Sequence, residues 1–181
     1  MHTLHQAVAQ CRTLVVEGCD GIGRSGLLAE LARHGFLIRR ARGHLHHVDP
    51  TQPYRELLAA PGRLAVDGSI IHELVYGPLR RGHSRVTWIQ ALDFAEAVAE
   101  RDGALVHLTA PHEQRAAADT EKAQAVSAYE RAFRTLAQHV PVVTVDAGGL
   151  SPPSRAPAPS PFSTGAMRRA VDGRLTTHHT A

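Results

Sequence analysis

Lysine is almost absent from this chain. Of its 20 basic residues, 19 are arginine, and Lys122 is the single lysine. A step that requires a lysine ammonium must use that residue or put an arginine in its place, and the two are not equivalent at a phosphate. Cysteine is scarce as well. Cys11 and Cys19 lie eight apart, a spacing that suits neither a disulfide framework nor a zinc site, so reduced thiols and a cytoplasmic setting are expected. No apolar run approaches the roughly 18 residues that cross a bilayer, and the first residues lack signal-peptide character. A membrane partner is therefore not expected. Aromatic residues make up only 4%, yet hydrophobic residues reach 43% and charged ones 20%, a composition that favours a globular chain over a disordered one.

The net charge of +3 and the pI near 9.3 suggest a nucleic-acid binder until the charges are placed. Residues 1–150 hold 16 basic and 16 acidic residues. The excess lies in Arg155, Arg168, Arg169 and Arg174, set against Asp172 alone. A neutral body argues against a broad phosphate-backbone face, so nucleic acid is not an expected partner of the body. From Gly149 onward, Pro, Ser and Ala dominate without apolar periodicity. The expected organisation is a folded domain over 1–148 and a basic, disordered tail over 149–181. The 13 histidines include His44, His46 and His47. Without a partnered cysteine or carboxylate motif, these read as solvent-facing or substrate-side rather than as a zinc site.

Short β-branched runs alternate with helical stripes. Leu14–Val16, Phe36–Ile38, Leu64–Val66, Leu105–Leu108 and Val142–Val145 read as strands. Helices are expected from Arg24 to His34, over Pro53–Ala60, from near Ser69 to Pro78, from a Ser84 cap to Gly103, and from Thr120 to Gln138. In the fourth of these, Trp88, Ile89, Leu92, Ala95 and Ala99 form the expected buried face; in the fifth, Val126, Tyr129, Phe133 and Leu136 do. This alternation of apolar strands and helices implies a five-stranded parallel sheet covered by helices on both faces, a three-layer α/β fold.

The strongest chemical signal follows the first strand. Gly18-Cys-Asp-Gly-Ile-Gly23-Arg24-Ser25 fits G-x-x-x-x-G-K-[ST] except at the lysine. Glycines let the backbone wrap a phosphate, and the N–H groups of the following helix start point at the anion. Ser25 is placed to offer its hydroxyl to Mg²⁺. Arg24 keeps the charge of the missing lysine on a longer, planar head.

GCDGIGRSG resembles the phosphate loop of thymidylate kinases and related deoxynucleoside monophosphate kinases. LAVDGSIIHELVYGPLRRG is similar to the second motif of that family, a strand ending in D-R-[ST] before a helix containing S-E-x-x-Y-G. The likeness spans roughly residues 13–147. It implies a P-loop NTPase-type fold, ATP as phosphoryl donor, Mg²⁺, and a nucleoside monophosphate or related small acceptor, including a modified nucleotide. By that resemblance Gly18, Gly21, Gly23, Arg24 and Ser25 would hold the donor phosphates, and Asp20 would lie toward the acceptor sugar. Asp67 would organise Mg²⁺ with Ser25. Glu73 and Tyr76 would face the acceptor, with Arg81 nearby, and Arg40 or Arg42 would clamp its phosphate. Arg115, with Lys122, would supply lid cations, making Arg24, Asp67 and Arg115 the candidate catalytic residues. A homodimer is compatible with this reading.

The chain also departs from the pattern. Gly26 replaces a threonine, Gly68 replaces the arginine of D-R, and His72 replaces a serine. Loss of one such cation costs on the order of 10³-fold in rate, because electrostatic stabilisation supplies most of this chemistry. A second reading is therefore a degenerate nucleotide-binding or regulatory module with little or no turnover. The bland alternatives are an Asp67 that merely caps a helix, a Tyr54 at an exposed helix start, a solvated Glu73, a core Tyr76, and a Cys19 that contributes only its backbone.

Overall fold

Six successive residues of β1, Thr13–Gly18, are all buried, as expected for an apolar strand covered on both faces. β1 pairs in parallel with β3 (Leu64–Asp67) on one side and with β4 (Gly103–Thr109) on the other. β2 (Leu37–Arg40) extends the sheet beyond β3, and β5 (Val142–Asp146) beyond β4. The order is β2-β3-β1-β4-β5, all parallel. The computed structural model describes residues 3–40, 49–111 and 120–149. Arg42, His44, His46, His47, Arg115 and nearly all of the expected tail lie outside the described residues.

The strand period of two sorts the core into two layers. Leu14 and Val16 pack with Leu27, Leu28 and Leu31 of α2 (Arg24–Arg33) and with Ala7 of α1 (Leu4–Gln10). Val15 points to the opposite face. There it joins residues from α3 (Gln52–Leu58), α4 (Ile70–Arg81), α5 (Trp88–Ala99) and α6 (Thr120–Leu136). The expected three-layer α/β architecture is present, and all five expected strands occur.

Several local expectations are corrected. α1 was not read from the sequence: it has seven residues and buries only Ala7, too little for a visible stripe, and Thr3 with Gln6 caps it. α5 begins after Thr87 and not at Ser84, because Thr87 and Gln90 form a capping box. That start rotates its buried face to Ala91, Phe94, Ala95 and Val98, leaving Trp88 and Ile89 exposed. α4 continues through Pro78 to Gly82, whose left-handed backbone ends it. β2 is displaced toward Arg40, which places Arg40 beside Asp67 in register.

Gly18, the last residue of β1, pairs with Leu108 of β4. A Cβ there would stand 2.7 Å from the Leu108 carbonyl oxygen, and a backbone atom in the sheet centre cannot yield cheaply. Gly18→Ala is expected to cost about 1–3 kcal/mol of unfolding free energy through overpacking. A urea midpoint unchanged from wild type would show that β1 and β4 separate freely here.

Candidate active site

The loop from β1 to α2 turns on two glycines with left-handed backbones, Gly21 at φ 77° and Gly23 at φ 86°. A side chain at either would be strained. Gly23 is also the N-cap of α2, and no side chain caps that helix start. Its first N–H groups therefore face outward without a side-chain acceptor, at the positive end of the helix dipole. Gly21, Ile22, Gly23, Arg24 and Ser25 form one wall of a cavity of about 650 Å³. Arg40, Tyr54, Asp67, Gly68, Ser69, His72 and Glu73 form the rest. The cavity thus lies outside the C-terminal ends of β1, β2 and β3, where parallel α/β sheets place their ligands.

Beneath it is a carboxylate that the motif reading passed over. Glu17 has no exposed surface and lies on the same face of β1 as Val15. Its Oε1 accepts hydrogen bonds from the Ser69 hydroxyl at 2.7 Å and from the Ser69 backbone N–H. Its Oε2 accepts from the Tyr129 hydroxyl at 3.3 Å and lies 3.8 Å from Arg24 Nη1. Burial raises the Glu17 pKa, and Ser69, His72 and Arg24 only partly offset it. The same burial, with the Glu17 charge, pushes the Tyr129 hydroxyl far up.

Arg24 and Asp67, named from the motifs, meet directly. Arg24 Nε lies 3.5 Å from Asp67 Oδ1, while Arg40 Nε donates to Asp67 Oδ2 at 2.8 Å. Asp67 does not cap α4; Ser69 does, accepting from the Ile71 N–H.

Asp20 belongs to a second cluster at the loop's flank. Its carboxylate accepts from Arg80 Nη2 at 2.8 Å and lies 3.3 Å from His72 Nε2. Burial alone would raise its pKa, but the bonds to Arg80 and His72 outweigh this and hold it below the ordinary value. Arg80 also bonds Glu121 at 2.9 Å and stacks 4.1 Å over the Tyr76 ring. Tyr76 is buried and accepts the Asp20 backbone N–H at 3.0 Å. Glu73 lines the cavity, with Oε1 bonded to Arg81 and to the Arg85 N–H. Arg81 and Tyr76 thus act on other site residues, and neither lines the cavity.

Among the residues expected from sequence, the cavity collects Gly21, Gly23, Arg24, Ser25, Asp67 and Glu73, with Arg40. Gly18 stays behind the loop against β4. Tyr54 is corrected: it is buried, and its ring meets Phe94 edge-on at 5.8 Å. The Cys19 side chain is buried in the core of the α4–α6 face and does not line the cavity. Glu17, Ser69 and Arg80 were missed, and His72 was noted only as a departure from the second motif. For Glu17 a signal existed: one acid inside the apolar run Leu14-Val15-Val16-Glu17.

For Oε-bound Glu17 the sign of the pH effect is fixed. A carboxyl with a raised folded pKa binds more protons folded than unfolded, so its stability contribution falls as pH rises above the ordinary 4.5. Glu17→Gln removes this titration and keeps one acceptor oxygen. Relative to wild type, the variant is expected to gain stability as pH rises above 4.5 in urea denaturation. Parallel pH profiles for the two proteins would contradict the assignment.

No family model matches the chain, and no curated protein matches it. Among solved structures it is similar to the YorR protein from Bacillus subtilis, determined in complex with phosphorylated GDP. Identity is 16%, the TM-score is 0.61, and the likeness covers 76% of this chain and 86% of that one. At this identity the match establishes a shared α/β fold.

Proposed function

We propose that this chain is a nucleotide-dependent phosphotransferase that moves the γ-phosphoryl group of ATP onto a nucleoside monophosphate or a related small acceptor. The observation that carries the reading is the glycine-turned loop, opening an uncapped helix start into a cavity that charged side chains share. YorR, whose structure holds phosphorylated GDP, adds support at the level of fold. In the reaction an acceptor phosphate oxygen attacks the γ-phosphorus, the bond to the β-phosphate oxygen breaks, and ADP leaves. Such transfers need positioning and charge neutralisation and no covalent enzyme intermediate.

The backbone N–H groups from Gly21 to Ser25 would hold the donor phosphates. Ser25 and Asp67 supply the hard oxygen donors that suit Mg²⁺. Among the described residues no group of three His, Cys, Asp or Glu side chains is built to hold a metal, so nucleotide phosphates and water would complete the coordination. When bound, the ion would neutralise phosphate charge. Glu73, placed by Arg81, faces the acceptor side, and Tyr76 with Arg80 and His72 fixes the Asp20 segment of the loop. Arg42 and Arg115 would add cations from segments outside the described residues. A pair of copies is compatible with this arrangement.

One observation favours the second reading, a nucleotide-binding module with little turnover: both Asp67 oxygens are engaged by guanidinium groups. Calorimetry with ATP, with and without Mg²⁺, followed by ADP release across a panel of monophosphates, separates the two. The phosphotransferase reading expects Mg²⁺-dependent binding and turnover of at least one acceptor. Ser25→Ala should weaken that binding by about 10-fold or more, the worth of a bond to a charged partner. ATP binding with no transfer to any acceptor would favour the module; no ATP binding at all would reject both.

A further inference from the structure

The Arg24 guanidinium is directed toward the C-terminal ends of β1 and β3. The residue opens α2 as part of the glycine loop, yet its ion pairs run to the ends of two strands. Nε lies 3.5 Å from Asp67 Oδ1 and Nη1 lies 3.8 Å from Glu17 Oε2. Its head lies near Gly68: a Cβ built there would stand 3.5 Å from Arg24 Nη1, an ordinary contact distance. Gly68 has φ 80°, a conformation that disfavours any side chain.

Arg40 holds the other oxygen of Asp67 from the end of β2. Asp67 is therefore a hub carrying two guanidinium groups, and both arginines line the cavity. Glu73, the other acid on the wall, is already bonded to Arg81 and the Arg85 N–H. Two planar, permanently charged forks beside one carboxylate match the oxygens of a phosphate dianion better than one compact ammonium does.

We propose that Arg24 joins Arg40, already expected there, at the phosphate of a phosphomonoester acceptor, and that the donor phosphates are left to backbone N–H groups. This inference rests on the phosphotransferase reading and assigns its acceptor side. Asp67 sets the two forks, and Glu17 fixes Arg24 from beneath through a carboxylate that is itself locked by Ser69 and Tyr129.

The test compares full-length wild type with Arg24→Gln and Arg24→Lys. Binding of ATP with Mg²⁺, and separately of dTMP, dUMP, dCMP, dAMP and dGMP, is measured by calorimetry. Steady-state assays give the KM for each substrate. Circular dichroism checks folding, and Arg24→Lys keeps a positive charge near buried Glu17 should Arg24→Gln fail to fold. The expected result is a loss of about 10-fold or more in affinity for the best monophosphate, with ATP affinity within about twofold of wild type. Arg24→Lys should show the same split, because one ammonium cannot act as a fork. The inference is overturned if ATP affinity falls while monophosphate affinity holds, if both fall together in a folded variant, or if neither changes. Wild type that turns over a monophosphate while an Arg24 variant loses only ATP sinks the clamp and leaves the phosphotransferase standing. Wild type that binds ATP and no monophosphate overturns the clamp and favours the nucleotide-binding module.

Discussion

A carboxylate with no exposed surface governs how this site is assembled. Taking a charge out of water is costly unless partners surround it, and Glu17 has them from several directions. Ser69 reaches it from the β3–α4 junction, Tyr129 from α6, and Arg24 from the start of α2. The Ser69 hydroxyl that donates to Glu17 also accepts from the Ile71 N–H and so begins α4. One acid thereby couples the start of the glycine loop's helix to the helix that carries His72, Glu73, Tyr76 and Arg80. Partial neutralisation explains why burial still lifts the Glu17 pKa: the donors compensate desolvation without cancelling it.

The exposed cluster is of a different kind. Asp20, Arg80 and Glu121 are each about half exposed, at 43% to 51%, and exposed ion pairs contribute little to stability. Their value is geometric. Arg80 lies over the Tyr76 ring and bonds Asp20, while the Tyr76 hydroxyl takes the Asp20 N–H. Backbone and side chain of the same loop residue are held by α4. The loop tip, where Gly21 and Gly23 need unusual dihedrals, is therefore flanked by a fixed residue on one side and a helix on the other.

Local pattern was enough for much of this. The five apolar runs are strands because buried parallel strands leave continuous β-branched stretches, and the glycine loop declared itself because its spacing is tied to backbone geometry. Asp67 was legible from its place at a strand end. What was not legible depends on distance in sequence. Tyr54 looked like an exposed helix start, and only the docking of α3 on α5, through Phe94, buries it. Arg80 meets Asp20 across 60 residues, and no periodicity forecasts that. α5 was misphased because Ser84 and Thr87 are equally good caps in the abstract; Gln90, three residues after Thr87, decides between them. Glu17 was visible as an anomaly, but its partners come from three separate segments.

The scarcity of lysine acquires a structural meaning at Arg24. A lysine head is a strongly hydrated point charge that can serve one anionic centre well, whereas a guanidinium can bridge two carboxylates and still present donors. Arg24 does bridge, with Asp67 and Glu17 on either side. Arg24 thereby ties the start of α2 to the C-terminal ends of β1 and β3, and with Arg40 it sets two guanidinium groups on one carboxylate of the cavity wall.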